Sequence, residues 1–88
     1  MKYSVIISRG AIKELSKLPD GAYKRVRDSI CKLADDPRPT GGMKLSGRPG
    51  WRIRTGDYRV IYDIDEKLGN VVILYVGHRK DVCRQGIN

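Results

Sequence analysis

The chain has 88 residues, of which 40% are hydrophobic and 32% charged, and its formal net charge at pH 7 is +8. This length predicts one domain, residues 1–88, with a thin core, because so short a chain buries only about 60–65% of its unfolded surface. No run approaches the ~20 apolar residues of a membrane span, and no secretory signal begins the chain. Cys31 and Cys83 lack metal-ligand spacing and a second pair, which indicates reduced thiols in a cytoplasmic protein without membrane contact.

The positive charge is unevenly distributed along the chain. Residues 41–62 hold five Lys/Arg against one acid, whereas residues 1–40 hold nine against five and residues 63–88 hold four of each. A basic surface concentrates polyanions and is typical of nucleic-acid-binding proteins. A charged face that only keeps the protein soluble has the same composition, so charge alone leaves both interpretations open.

The first forty residues predict a strand followed by two helices. Lys2 to Ile7 is apolar and β-branched, as in a buried strand, and Ser8 is placed to cap a helix. Pro19 ends that helix, and Asp20 is placed to cap the next one. Apolar residues at helical spacing form the two stripes Ala11, Ile12, Leu15, Leu18 and Ala22, Val26, Ile30, Leu33. The tight turn between them predicts an antiparallel helical hairpin.

A loop-rich segment from Asp35 to Gly50 precedes three strand patterns. Trp51 to Arg54 alternates strictly between apolar and basic residues. Within Asp57 to Ile64, Arg59 lies on the face opposite that of Tyr58, Val60, Tyr62 and Ile64, and Val71 to Val76 is an apolar run. The predicted order is therefore β-α-α-β-β-β. We expect an α+β fold in which the helical hairpin packs on one face of a small, mostly antiparallel sheet.

Alternation in these strands places Arg52, Arg54 and Arg59 on the sheet face opposite the helices. Arg79 is in phase with four residues of the last predicted strand, Val71, Ile73, Tyr75 and Gly77. That phase is compatible with the arginine-bearing face if the strand continues far enough. Four guanidiniums repel one another unless an anion is bound, so the pattern predicts a phosphate-binding surface. Separate, splayed surface arginines are the alternative.

Four segments in the second half of the chain are distinctive together, Lys44–Gly47, Trp51–Arg54, Asp57–Tyr62 and Val76–Val82. With the strand–helix–helix beginning, they resemble the RelE/ParE superfamily of toxins from type II toxin–antitoxin systems, and most of all its RelE branch. The resemblance covers nearly the whole chain and implies a RelE-like fold.

The resemblance also implies an activity and partners. It implies an mRNA endoribonuclease (mRNA interferase) that acts on the ribosome, inhibits translation and needs no metal or other cofactor. In that reaction a 2′-hydroxyl attacks the adjacent phosphate, the 5′-oxygen leaves, and a 2′,3′-cyclic phosphate remains. The implied partners are the ribosome, its mRNA and a cognate acidic, RelB-like antitoxin that forms a hetero-oligomer with the toxin.

The catalytic roles of the family fall on Arg54, Arg59 and Arg79 of this sequence, and Arg52 corresponds to a residue that steadies the flanking phosphate. We expect Arg59 to bind two phosphate oxygens through its planar guanidinium and Arg79 to lie at the leaving oxygen. Two residues of the loop before the hairpin, Lys44 and Arg48, are further candidates for binding RNA phosphates.

Two positions depart from the family pattern. Arg54 stands where the well-studied form has a lysine proposed as the base, and arginine keeps its proton. Cys83 stands where many members have a tyrosine thought to stack on a base, which a thiol cannot do. Tyr75 and Trp51 are alternatives for that stacking role, although we interpret both as structural.

His78 is the only histidine, and some relatives use histidine in catalysis. Strand alternation places it on the face opposite Arg79, which favours a packing role. Two other functions stay open for the whole chain. One is a ParE-like inhibitor of DNA gyrase, and the other is a weak or decayed toxin that still binds its antitoxin.

Overall fold

The computed structural model describes residues 2–47 and 49–78. Two helices and five strands lie within these ranges: β1 (Ser4–Ile7), α1 (Arg9–Ser16), α2 (Asp20–Lys32), β2 (Met43–Lys44), β3 (Trp51–Thr55), β4 (Tyr58–Asp65) and β5 (Asn70–His78). The strands form one sheet in the order β1-β5-β4-β3-β2. Only the β1–β5 pair is parallel, so the predicted α+β fold with a mostly antiparallel sheet is confirmed.

The helix ends agree with the sequence at one position and differ at another. The Ser8 hydroxyl accepts a hydrogen bond from the Ala11 amide at 3.2 Å, so the predicted cap of α1 is confirmed. Asp20 is instead the first residue of α2, and Pro19 precedes it without a side-chain cap. An acidic residue in the first turn still interacts favourably with the helix dipole. The predicted capping role of Asp20 is therefore wrong.

The hydrophobic core lies between the helical hairpin and one face of the sheet. Its fully buried members, none more than 7% exposed, are Ala11, Leu15, Val26, Ile30, Leu33, Ile53, Val60, Tyr62, Val71, Ile73 and Val76. Ile12, predicted to belong to the apolar stripe of α1, is 54% exposed because it lies about 100° around the helix from Ala11. The face of α1 that contributes to the core is therefore narrower than the apolar stripe that the sequence predicted.

Two strands differ from their predictions. β1 is an edge strand whose exposure alternates, so Val5 and Ile7 pack against the core while Ile6 is 46% exposed. The sequence predicted a buried strand, and only one face of β1 is covered. β2 is a two-residue strand inside the segment that the sequence predicted as a loop, and it pairs with Trp51 and Arg52 of β3.

A β-bulge in β5 decides which of its side chains reach each face. Ile61 pairs with Tyr75 but Tyr62 pairs with Ile73, so Leu74 is an extra residue in β5. Such a residue reverses the side-chain phase of the strand on either side of it. Residues 71 and 73 therefore point into the core, whereas residues 75 and 77 point away from the helices. The prediction that these four residues share one face is wrong for Val71 and Ile73.

The connection between α2 and β2 is fastened to the sheet by polar contacts. The Tyr62 hydroxyl donates to the Pro37 carbonyl at 2.7 Å, and burial raises the pKa of Tyr62 to about 12. The Arg38 guanidinium lies 5.6 Å from the centroid of the Trp51 ring and donates to Glu66 at 2.7 Å. Trp51 is thus covered on the helix side of the sheet and has the structural role that the sequence suggested.

No helix in the described ranges is long and apolar enough to cross a membrane.

A candidate phosphate-binding face

Three arginines share the sheet face that points away from the helices, here called the arginine face and defined by Arg52, Arg54 and Arg59. Arg54 pairs directly with Arg59 across β3 and β4, and Arg59 pairs in turn with Gly77 of β5. Arg52 pairs with Ile61 in the neighbouring row. The predicted outward orientation of these three residues is confirmed, since Ile53 and Val60 between them lie in the core.

The Arg54–Arg59 pair concentrates positive charge, and neither guanidinium has an ion-pair partner within residues 2–47 and 49–78. Directly opposite residues of an antiparallel pair have Cβ atoms about 4.5–5.5 Å apart, and like charges there are destabilising. The ion pairs among residues 2–47 and 49–78 join Lys2 to Asp35, Lys17 to Glu14, Arg27 to Asp28 and Arg38 to Glu66. None involves Arg54 or Arg59. Asp57 lines the same small recess at the β3–β4 turn but forms no ion pair with either.

Arg59 carries an unsatisfied donor. Its side chain is half-buried, and its Nε is buried without a hydrogen-bond acceptor in the described part of the chain. Buried N–H groups nearly always have an acceptor, and leaving one without costs on the order of 1–3 kcal/mol. Arg59, the arginine predicted to hold the reacting phosphate, therefore has one N–H group without a hydrogen-bond acceptor in the described residues.

The remaining basic candidates lie nearer the sheet edge. The Arg52 Nη2 lies 3.2 Å from the Met43 sulfur, and Arg52 lines a shallow depression together with Met43, Lys44, Leu45 and Ser46. Lys44 is exposed and pairs with Trp51, so its register places it on the helix-side face of the sheet and not on the arginine face. Arg48, Arg79 and Cys83 lie outside the described residues.

His78 is separated from the arginines by the sheet itself. It pairs with Tyr58, and the two rings meet edge to face with centroids 5.6 Å apart. Arg59 and Gly77, the neighbouring pair, point to the opposite face. The structure thus brings Arg52, Arg54 and Arg59 together and leaves His78 and Lys44 on the other side of the sheet. No three His, Cys, Asp or Glu side chains gather as metal ligands anywhere in 2–47 and 49–78.

Tyr75 also lies on the arginine face, in phase with Gly77 as the alternation predicted. The bulge at Leu74 turns Tyr75 to this face, where it packs against the small apolar cluster of Leu45 and Ile61. A Cβ at Gly77 would lie 2.7 Å from the Tyr75 hydroxyl oxygen, so the phenol occupies the space of a side chain at position 77. No sequence signal locates the bulge, although the glycine at 77 in a strand is consistent with a close approach there.

Comparisons with known proteins agree with this architecture. The family model for the ParE toxin of type II toxin–antitoxin systems, parDE, matches residues 5–82. Toxin RelG of Mycobacterium tuberculosis is 34% identical over 97% of this chain and 100% of its own length.

Solved structures agree as well. A chain of the toxin–antitoxin complex RelBE2 from Mycobacterium tuberculosis superposes with a TM-score of 0.81 at 32% identity, covering 90% of this chain and 100% of that one. A chain of the archaeal RelE–RelB complex from Pyrococcus horikoshii gives 0.79 at 34% identity, covering 90% and 97%. The chain therefore belongs to the RelE/ParE superfamily and is a toxin of the RelBE type of type II toxin–antitoxin system, as the sequence predicted.

Proposed function

We propose that this toxin is a metal-independent, ribosome-dependent endoribonuclease that cleaves mRNA in the cytoplasm and so inhibits translation. The observation that carries the proposal is the Arg54–Arg59 pair, two guanidiniums directly opposite each other with no ion-pair partner in the described chain. Such a pair is stabilised when a phosphate lies between or above its members. The unsatisfied Nε of Arg59 supports the same conclusion, because a phosphate oxygen is a strong acceptor.

The reaction is an internal transfer at phosphorus. The 2′-oxygen forms a bond to the adjacent phosphorus while the bond from phosphorus to the 5′-oxygen of the next nucleotide breaks. One proton leaves the 2′-hydroxyl and one reaches the departing 5′-oxygen. Negative charge gathers on the non-bridging phosphate oxygens, where fixed cations lower the barrier most. Arg59 and Arg54 supply those cations, and Arg52 holds a neighbouring phosphate.

Arg54 acts here only through its charge. An arginine stays protonated over the working pH range, so it cannot take the proton from the 2′-hydroxyl. The proposal gives that proton to water or to a group of the ribosome. Arg79 is proposed at the leaving oxygen, with Arg48 on the RNA backbone nearer the sheet edge. Lys44 is left out of this surface, because it pairs with Trp51 and lies on the opposite sheet face. Neither His78, on the opposite sheet face, nor Cys83 is needed for this chemistry.

An acidic, RelB-like antitoxin is the proposed protein partner, in a hetero-oligomer with the toxin. Solved relatives include RelBE2 and RelE–RelB complexes of toxin with antitoxin. The net charge of +8 suits an acidic chain, since opposite charges across an interface accelerate association and favour the correct partner. Binding of such a chain also stabilises a domain with a thin core by mass action.

Mapping RNA ends on programmed ribosomes tests the function. Purified toxin should cut ribosome-bound mRNA and leave a 2′,3′-cyclic phosphate on one fragment and a 5′-hydroxyl on the other. The same mRNA without ribosomes should stay intact over the same time. Ends of another chemistry, or equal cutting of free mRNA, would overturn the proposed reaction.

ParE-like inhibition of DNA gyrase is the second candidate, because the matching family model describes a ParE toxin. Supercoiling by purified gyrase distinguishes the two functions directly. We expect no inhibition of gyrase at toxin concentrations that cleave mRNA on ribosomes. Inhibition without RNA cleavage would support the ParE-like function, and binding of antitoxin with neither activity would identify a decayed toxin.

A further inference from the structure

We propose that Ser29 of α2 is a positioning residue for the reaction, because its hydroxyl anchors the end of β3 that carries Arg54. It acts through Thr55, the residue that follows Arg54 in β3. The inference rests on the proposed function. It extends the site from the charges on the arginine face to a contact on the helix side of the sheet that holds one of these charges in place.

A hydrogen bond between two hydroxyl groups joins the helical hairpin to β3. The Thr55 Oγ1 donates to the Ser29 Oγ at 2.7 Å, and both residues are half-buried. Thr55 pairs with Tyr58 in the row next to the Arg54–Arg59 pair. Side chains of a strand alternate between the two faces, so this row points towards the helices. The hydrogen bond therefore lies directly behind the two arginines.

The end of β3 is supported by only one neighbouring strand. On the other side, β2 pairs with Trp51 and Arg52 alone, and the sheet of the described chain has no further strand beyond it. Ile53, Arg54 and Thr55 are thus held by pairing with β4 but not by pairing at the outer edge. A segment with few such contacts opens more readily than the centre of a sheet.

Packing between α2 and this end of β3 is incomplete. An open cavity of about 190 Å³ separates them, and its lining includes Ser29, Leu33, Ile53 and Arg54. Atoms that face such a space lack packing partners and lose the dispersion attraction that a filled core supplies. The hydrogen bond from Thr55 to Ser29 therefore connects helix and strand at a place where close packing does not.

The same end of β3 also has to withstand repulsion. Arg54 and Arg59 are directly opposite each other, and like charges in such a pair are destabilising. The two-residue turn at Gly56 and Asp57 sets the register of the two strands but not the distance of the hairpin from α2. Repulsion favours separation of the strand ends, and the anchor on Ser29 opposes that movement before RNA binds.

Fixed charges accelerate a reaction only when they are in place before it begins. Donors and cations that must first reorganise stabilise the transition state less. A displacement of about 1 Å can lower a rate by roughly 10²-fold. Ser29 contacts neither the RNA nor the reacting atoms in this account, so its effect on the rate passes through Thr55 and the position of Arg54.

The test measures single-turnover cleavage of mRNA over a range of programmed-ribosome concentrations. Ser29→Ala and Thr55→Val each remove one partner of the hydrogen bond and suit a helix and a strand, respectively. Each should lower the rate at saturating ribosomes by roughly 5–100-fold. The ribosome concentration that gives half the maximal rate should stay within about twofold, because no phosphate-binding charge is removed.

Two control variants accompany these changes. Thr55→Ser keeps a hydroxyl at position 55 and should cleave within about threefold of the parent rate. Ser16→Ala removes a hydroxyl of α1 that donates to the Lys13 carbonyl at 2.7 Å, and it should cleave at the parent rate.

Double variants show whether the residues act as one unit. Ser29→Ala combined with Thr55→Val should be no slower than the slower single variant, because both remove the same contact. In an Arg54→Ala protein the positioned charge is already absent. Adding Ser29→Ala to that protein should therefore cost no more than about twofold. A hydrogen bond that served stability alone would lower the unfolding midpoint and leave the rate of the folded protein unchanged.

Parent rates for folded Ser29→Ala and Thr55→Val would overturn the proposal, as would additive losses in the double variants or a Thr55→Ser protein as slow as Thr55→Val. Arg59→Ala separates this failure from a failure of the proposed function. If Arg59→Ala slows cleavage while both hydroxyl variants cleave at the parent rate, only the positioning role is wrong. If the parent protein leaves ribosome-bound mRNA intact, the proposed function is wrong as well.

Discussion

The two faces of the sheet are made by the same strands and have opposite chemistry. On the helix side, Val60, Tyr62 and Ile73 have no exposed surface. On the arginine face, Arg54 is exposed and Arg59 is half-buried, with one donor left unsatisfied. Along β3 and β4, side chains that pack in the core therefore lie next to charged side chains on the opposite face. Neighbouring positions of one strand can therefore be changed with nearly independent consequences for folding and for function.

The largest effect on stability is expected on the helix side. Ile73→Ala should lower the free energy of unfolding by about 2–5 kcal/mol, because it leaves a cavity in a site with no exposed surface. Arg54→Ala should change it by no more than about 0.5 kcal/mol, since surface changes are small and this one also relieves like-charge repulsion. Urea unfolding followed by circular dichroism measures both. Equal losses for the two variants would contradict the separation of the faces.

A smaller effect is expected on the salt dependence of ribosome binding. Removing Arg52 and Arg54 together by alanine should reduce the slope of log affinity against log salt by about one to two, because each phosphate contact contributes roughly 0.7–1. The matched control removes Lys24 and Arg25, two exposed charges of α2. If that control flattens the slope and the arginine-face variant does not, RNA binds to the helical hairpin instead.

The smallest effect concerns the contacts that fasten the α2–β2 connection. The hydrogen bond from Arg38, with a second from Tyr3, lowers the pKa of Glu66 below its usual range. A carboxyl whose pKa is lower in the folded state stabilises the protein above its unfolded pKa, near 4.5, and loses that contribution as the pH falls through the folded value.

Urea midpoints measured from pH 7 to pH 3 test this contact. The difference between the parent protein and Glu66→Gln should be small, because both partners are exposed, and should shrink as the pH falls below about 4.5. Cleavage should not change. A difference that grows towards acid pH would contradict the lowered pKa of Glu66.

Local patterns predicted much of this molecule. Strict alternation in Trp51–Arg54 gave the correct faces because side chains of a strand alternate whatever their neighbours are. The cap formed by Ser8 was also predictable, because it involves residues only three positions apart in the sequence. The exposure of Ile12 depends on which part of α1 contacts β5, and the parallel β1–β5 pairing joins residues more than sixty positions apart. Neither the exposure of Ile12 nor this pairing can be predicted from a local sequence pattern.

The bulge at Leu74 is the clearest limit of prediction for the candidate site. Val71 to Val76 is a uniformly apolar run, so its sequence gives no sign of where the phase changes. Two core residues were consequently placed on the arginine face. The arginines themselves were predictable, because each is next to a core residue, Ile53 in β3 or Val60 in β4, and neighbouring side chains of a strand point to opposite faces.

In the proposed function, the arginine face performs the reaction while the helix side of the sheet only supports it. The most direct test is the single-turnover rate of mRNA cleavage on saturating programmed ribosomes for Arg59→Ala, beside Arg25→Ala on α2 as the matched control. Loss of one stabiliser of transition-state charge predicts a rate about 10²–10³-fold lower for Arg59→Ala, with an unfolding midpoint close to that of the parent protein. Arg25→Ala should cleave at the parent rate. A folded Arg59→Ala protein that also cleaves at the parent rate would contradict the claim.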